Sequence, residues 1–145
     1  MNTNLRRILL AITVILAAYV GIWAEVFPRG FYDSFPGFGL SWISEDGPFN
    51  EHLIRDVGSF YLGLGAGSLA AIFSRSATAG RVVGLAWALF GLLHFGYHVL
   101  HLEGSMLDRV GNVVSLGVSL LLGILLTLPS RRNAPALKTG TEATR

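Results

Sequence analysis

Four long stretches of this chain carry almost no charge, and each is about the length needed to cross a lipid bilayer. They run from Ile8 to Ala24 (to Phe27 if Glu25 is tolerated), Val57 to Ser74, Val82 to Leu102 and Val110 to Pro129. A helix rises about 1.5 Å per residue, so about 20 residues cross a hydrocarbon core about 30 Å thick. Backbone groups in lipid must bond within their own segment, which makes each stretch a helix. The composition agrees: 52% of residues are hydrophobic and 14% charged, against about 25% charged in an ordinary soluble domain. The expectation is an all-α integral membrane four-helix bundle forming a single domain over residues 1–130. Its helices should span about 6–27, 51–74, 81–102 and 108–129, with a long connection over 28–50 and a disordered cytoplasmic tail over 131–145.

Charge position sets the expected orientation. With alternating helices, one side of the membrane holds Arg6, Arg7, Arg75, Arg81, Arg131, Arg132, Lys138 and Arg145, and the other only Arg29, Arg55 and Arg109. Basic residues favour the cytoplasmic side, so both termini are expected inside a bacterial plasma membrane. Most carboxylates fall on the outer side. The first stretch follows Arg6 and Arg7 as a signal peptide would, but it is long for a signal core and no small-x-small site precedes Trp23 and Glu25, so it reads as an uncleaved helix. No Lys/Arg run exists to attract nucleic acid. Cysteine is absent, which removes disulfides, thiolate metal sites and cysteine nucleophiles.

The connections differ. The one near Arg75–Arg81 is short and rich in Ser, Thr and Gly, as suits a turn between antiparallel neighbours. The 28–50 connection carries Phe31, Tyr32, Phe35, Phe38, Trp42 and Phe49 among three prolines, so it should lie at the outer interface or fold over the bundle mouth. Close packing of small residues drives helix association in lipid. Ser59, Gly63, Gly67 and Ala71 on the second helix, and Gly111, Ser115, Ser119 and Gly123 on the fourth, recur at four-residue steps and are the expected seams; Ala17 and Gly21 offer a shorter one. One of these stripes could instead face a partner subunit or a second copy of the chain.

All four histidines fall in the outer half. His94, His98 and His101 are spaced i, i+4, i+7 and share a helix face, His94 about 10 Å deeper than His101. Asn50 should cap the second helix, with Glu51–Arg55 and His52–Asp56 as i, i+4 pairs. Glu25, Asp108 and Asn112 complete an expected polar ring to which every helix contributes, with the histidine face turned inward toward Glu25 and the Glu51–Asp56 segment. Three readings fit polar groups at such depth. One is a hydrogen-bonded network that fixes the bundle. The second is a haem or divalent-metal site using His94, His98 and His52, because imidazole is a common ligand. The third is a proton-handling pocket or one for a quinone, lipid or other small hydrophobic molecule between helices. No nucleophile–base arrangement is present, and Gly63, Gly65 and Gly67 lie in a membrane helix with no preceding strand, which excludes a phosphate loop.

Phe27-Pro28-Arg29-Gly30-Phe31-Tyr32-Asp33-Ser34-Phe35-Pro36-Gly37, followed by Asn50-Glu51-His52-Leu53-Ile54-Arg55-Asp56-Val57-Gly58, resembles a group of small, uncharacterised actinobacterial membrane proteins. The layout is also similar to that of DoxX-like four-helix proteins. The resemblance implies the four-helix fold. Some DoxX-like proteins are linked to quinone-dependent redox chemistry, but no residue motif here carries that activity over. The expected role is a small non-catalytic membrane component or accessory subunit, with cofactor or proton handling at the histidine face as the alternative.

Overall fold

The computed structural model describes residues 2–129; the tail expected over 131–145 lies outside them. The described chain is all-α apart from one two-residue-per-strand hairpin. Four helices are long and apolar enough to cross a membrane: α1 (Asn4–Val26), α4 (Glu51–Phe73), α5 (Ala77–Leu100) and α6 (Met106–Thr127). Between α1 and α4 lie α2 (Pro28–Ser34), the antiparallel hairpin of β1 (Pro36–Gly37) and β2 (Leu40–Ser41), and α3 (Trp42–Glu45).

Local signals set the helix ends. Asn50 caps α4, its side chain accepting from the Leu53 amide at 3.1 Å. Ser105 caps α6 in a capping box with Asp108, so that helix begins two residues before the expected start. Ser76 accepts from the Thr78 amide and begins α5 at Ala77, four residues early. The polar run read as a turn is therefore mostly the first turn of a helix.

The long helices form two antiparallel pairs, α1 with α4 and α5 with α6, and each pair packs far more closely within itself than against the other. Glycines allow this. An added Cβ on Gly58 would stand 2.7 Å from the Glu25 amide nitrogen, and one on Gly65 2.8 Å from the Ala17 Cβ. Gly84 on α5 leaves no room beside Leu126, where a Cβ would stand 2.5 Å away, and Gly123 on α6 lies against the Ala88 backbone. These close approaches are the small-residue packing expected of helices in lipid.

The seam on α4 differs from the expected one. Gly63 faces open space and Gly67 makes only ordinary contact with Val83. Of the expected stripe only Ala71 is buried, and the helix turns Gly58, Gly65 and Ser68 inward beside it. Ser59 joins a polar group at the edge of the seam, donating to Glu25 Oε2 at 3.0 Å. On α6 the expected stripe divides: Gly123 sits in the seam, Ser119 and Ser115 line a cavity, and Gly111 lies under the Trp42 ring, where a Cβ would stand 2.6 Å away.

One buried node ties the pairs together. Thr13, Ser68 and Trp87 are all fully buried. Trp87 Nε1 donates to Ser68 Oγ at 3.0 Å, and Thr13 Oγ1 lies 3.0 Å from the same oxygen, so α1, α4 and α5 meet at one hydroxyl. At the base of the bundle the chain start stitches the helix ends. Asn2 donates to the Ala71 and Ser74 carbonyls at 3.0 and 3.1 Å. Arg6 reaches the Leu128 carbonyl and Arg81 the Thr127 carbonyl, placing cations at the negative end of α6. The outward surface is the apolar one: Ile8, Ile15 and Ile22 on α1, and Val82, Leu89 and Leu93 on α5, are exposed.

Candidate functional site: a cavity at the top of the bundle

At the end opposite the base the two pairs part and leave a cavity of about 360 Å³. Its size is at the small end of the range for ligand pockets. The floor is made by Leu16 on α1, Tyr61 on α4 and Ser119 on α6, just above the buried node. One wall is apolar, built from Val20, Phe31, Phe35, Ile54 and Val57. The facing wall is polar and comes from α5 and α6: His94, His98, Asn112 and Ser115. Below the histidines, α4 and α5 are held together through the Phe60–Phe90 and Tyr61–Phe90 ring contacts, with centroids 4.8 and 5.3 Å apart.

The connection between α1 and α4 roofs this space. Its aromatic rings lock to one another and to the helices. Phe35 contacts Phe31, Trp23 and Trp42, Tyr19 donates to the Pro36 carbonyl at 2.7 Å, and Tyr32 to the Gly47 carbonyl at 2.7 Å. Trp42 Nε1 donates to Asp108 Oδ1 at 3.0 Å, tying the roof to the start of α6. Of the two placements expected for this connection, it takes the one over the bundle mouth. The hairpin tip alone projects: Phe38 is 97% exposed, with a left-handed backbone between two glycines.

The expected polar ring is not one group. Glu25, Glu51, Arg55 and Ser59 form a partly exposed cluster at the edge of the α1–α4 seam, where Arg55 bonds Glu51 Oε1 at 2.9 Å and reaches the Glu25 backbone carbonyl and carboxylate. His52 pairs with Asp56 at 3.4 Å on the exposed face of α4. His101 is exposed and its Nδ1 meets the Tyr97 carbonyl at 2.8 Å. Only His94, His98 and Asn112 face the cavity, and across from them stand Ile54 and Val57, not Glu25 or the Glu51–Asp56 carboxylates. The expected ligand trio of His94, His98 and His52 is thus not assembled, since His52 lies outside the cavity lining. Among the described residues no group of three or more His, Asp or Glu is placed to hold a metal ion. Residue spacing placed the polar groups at the right height but could not give each helix its rotation.

The mouth is acidic. Glu45, Asp46, Glu103 and Asp108 surround a small recess beside His98 and Trp42. Partial burial raises the Asp46 pKa above the usual aspartate range, His98 opposes that rise and Glu103 adds to it. A pocket between helices was one of the readings the sequence offered, but its apolar lining was not legible there, because those walls are mostly ordinary helix residues. The signal within reach was Phe31, Phe35 and Trp42, three large rings in a connection too short to bury them without the bundle beneath. No family model, no curated protein and no solved structure matches this chain.

Proposed function

We propose that this protein is a non-catalytic multi-pass protein of the bacterial plasma membrane, with both termini cytoplasmic, that holds a small hydrophobic molecule such as a quinone or lipid in its outer half. The observation that carries the reading is the cavity of about 360 Å³ with a mostly apolar lining, aromatic roof and one polar wall. A mostly apolar lining with a few convergent polar groups is the usual make-up of a ligand site. Membrane insertion is supported by the four apolar helices and by the exposed Ile, Leu, Val and Phe side chains around them. Orientation rests on the Lys/Arg asymmetry, which puts the roofed end outside. The haem and metal alternatives have less support, because the remaining histidines stand apart from the pair at the cavity.

Native mass spectrometry of protein released in mild detergent tests the ligand reading. The wild type should carry a bound small molecule, and Ser115→Trp, which fills the cavity, should lose it. Wild-type protein free of any such mass, from membranes that contain the ligand pool, would remove the proposal. Reporter fusions after Arg75 should read cytoplasm and those near Glu45 the outside.

A further inference from the structure

The two walls of the cavity restrict the charge and chemistry of its occupant. No Lys or Arg lines it, one carboxylate, Asp46, does, and Glu45, Glu103 and Asp108 join Asp46 around the recess beside it. A carboxylate or phosphate headgroup would enter through a negative field and find no cation inside. The polar wall, in contrast, offers imidazole, amide and hydroxyl groups. The Ser119 hydroxyl is buried and makes no hydrogen bond. Among the described residues the side chains of His94, His98 and Asn112 likewise make no hydrogen bond within the chain; the two imidazoles stack on each other, with centroids 4.9 Å apart, His94 also meets Phe90 and His98 the ring of Tyr97. Buried polar groups are normally partnered, so the idle Ser119 hydroxyl, with the half-buried side chains of His94, His98 and Asn112 on the same cavity wall, marks where an outside partner belongs. The opposite wall is aromatic and aliphatic.

Resting on the pocket reading above, we infer that the occupant is an uncharged molecule bearing a hydroxyl or carbonyl oxygen, seated with that oxygen on the His94–Asn112–Ser119 wall and its apolar body against Phe31, Phe35 and Tyr61. Anionic lipids and ionised fatty acids are excluded by the acidic mouth. The site selects for a neutral oxygen because imidazole, amide and hydroxyl groups can each serve as hydrogen-bond donor to it.

Trp42 lines the cavity and serves as the reporter. The probes are bromoundecanol and bromoundecanoate, matched in chain and bromine quencher, added to full-length protein in phosphatidylcholine nanodiscs in mildly alkaline buffer. The alcohol should quench fluorescence in a saturable way, and Trp42→Phe should abolish that component. His94→Phe, which keeps the ring stack, and Ser119→Ala should each weaken alcohol binding, roughly fivefold for one hydrogen bond lost. Gly63→Leu, remote from the cavity, should bind as wild type does. Carboxylate binding as tight as the alcohol's, or alcohol binding indifferent to both wall variants, would overturn the neutral-oxygen assignment and leave the pocket standing. Saturable quenching by neither probe would overturn the pocket reading along with it.

Discussion

The base of the bundle and its top are closed by different means. At the base the helices themselves close the space: Gly84 and Gly123 bring α5 and α6 into backbone contact, Asn2 ties the start of α1 to the end of α4, Arg6 reaches across the pairs to the end of α6, and Leu10 and Leu126 are fully buried between them. At the top the pairs diverge, and the closure is a separate piece of chain, residues 27–50, laid over a gap. Small residues decide the difference. Where they occupy facing positions the backbones meet; where His94, His98 and Asn112 stand instead, the helices lie apart and a cavity remains. One bundle thus has a rigid half that sets its shape and an open half that can hold a guest.

The sharpest way to break this comparison is to push the base apart. Gly123→Leu would drive a side chain into the Ala88 backbone and should cost about 2–3 kcal/mol, the range for overpacking a tight site. Thermal unfolding in detergent reads this. Gly63→Leu, facing open space on α4, should leave the melting temperature unchanged or slightly raised, since leucine is the better helix former. Equal losses in the two variants would mean that the seam has been assigned to the wrong face.

The node between the halves comes next. Ser68→Ala leaves the Trp87 indole N–H buried without a partner, at a cost of about 1–2 kcal/mol. Trp87→Phe in the Ser68→Ala background should then cost little more, because the bond is already gone. Additive losses in the double variant would show that the two residues do not share this contact.

The roof is held less firmly. Trp42→Phe removes one bond to Asp108, a small loss because the carboxylate is solvated. Its signature should be faster amide hydrogen exchange across residues 36–50, with exchange in α5 and α6 near the base unchanged. Exchange that rises equally at the base would contradict a separately closed top.

The smallest effect concerns Asp46. Its pKa is raised on folding, so folding favours the protonated carboxyl relative to the ionised one. The stability it lends is complete below the ordinary aspartate range and is lost as pH rises through the raised folded value. At neutral pH the ionised carboxylate therefore opposes closure of the mouth. Asp46→Asn should stabilise the roof slightly at neutral pH, and the gain should vanish in acid; the size is limited because the residue is exposed and screened. A gain that grows as pH falls would reverse the sign of this argument.

The four long helices were legible in the sequence because charge gaps are local, but the start of α5 was not, because Ser76 to Gly80 suit a turn as well as a capped first helical turn. Asn50 and the Glu51–Arg55 pair are found as read. The seams were only half legible. On α4 the four-residue steps from Ser59 to Ala71 drew attention to Gly63, while Gly58 and Gly65, seven apart, carry the contact. Either glycine set is sterically permissible, and only the partner helix chooses between them. Arg6 and Arg81 read as markers of the cytoplasmic side, yet both also cap α6 through carbonyls more than 40 residues away in sequence. The histidines failed as a single group for the same reason: spacing gives a shared face within α5, but which of them meet the cavity depends on where α5 ends, and His101 lies just past that end.

The difference between an open top and a closed base is most directly tested by thiol labelling, because the chain has no cysteine of its own. Leu116 lines the cavity and Ala71 is buried at the base. Single variants Leu116→Cys and Ala71→Cys in nanodiscs can be exposed to methyl methanethiosulfonate, which is small and uncharged. Leu116→Cys should be modified rapidly and be protected by bromoundecanol, and Ala71→Cys should remain unreacted until the protein unfolds. Equal rates at the two positions, with or without the alcohol, would contradict an open top over a closed base.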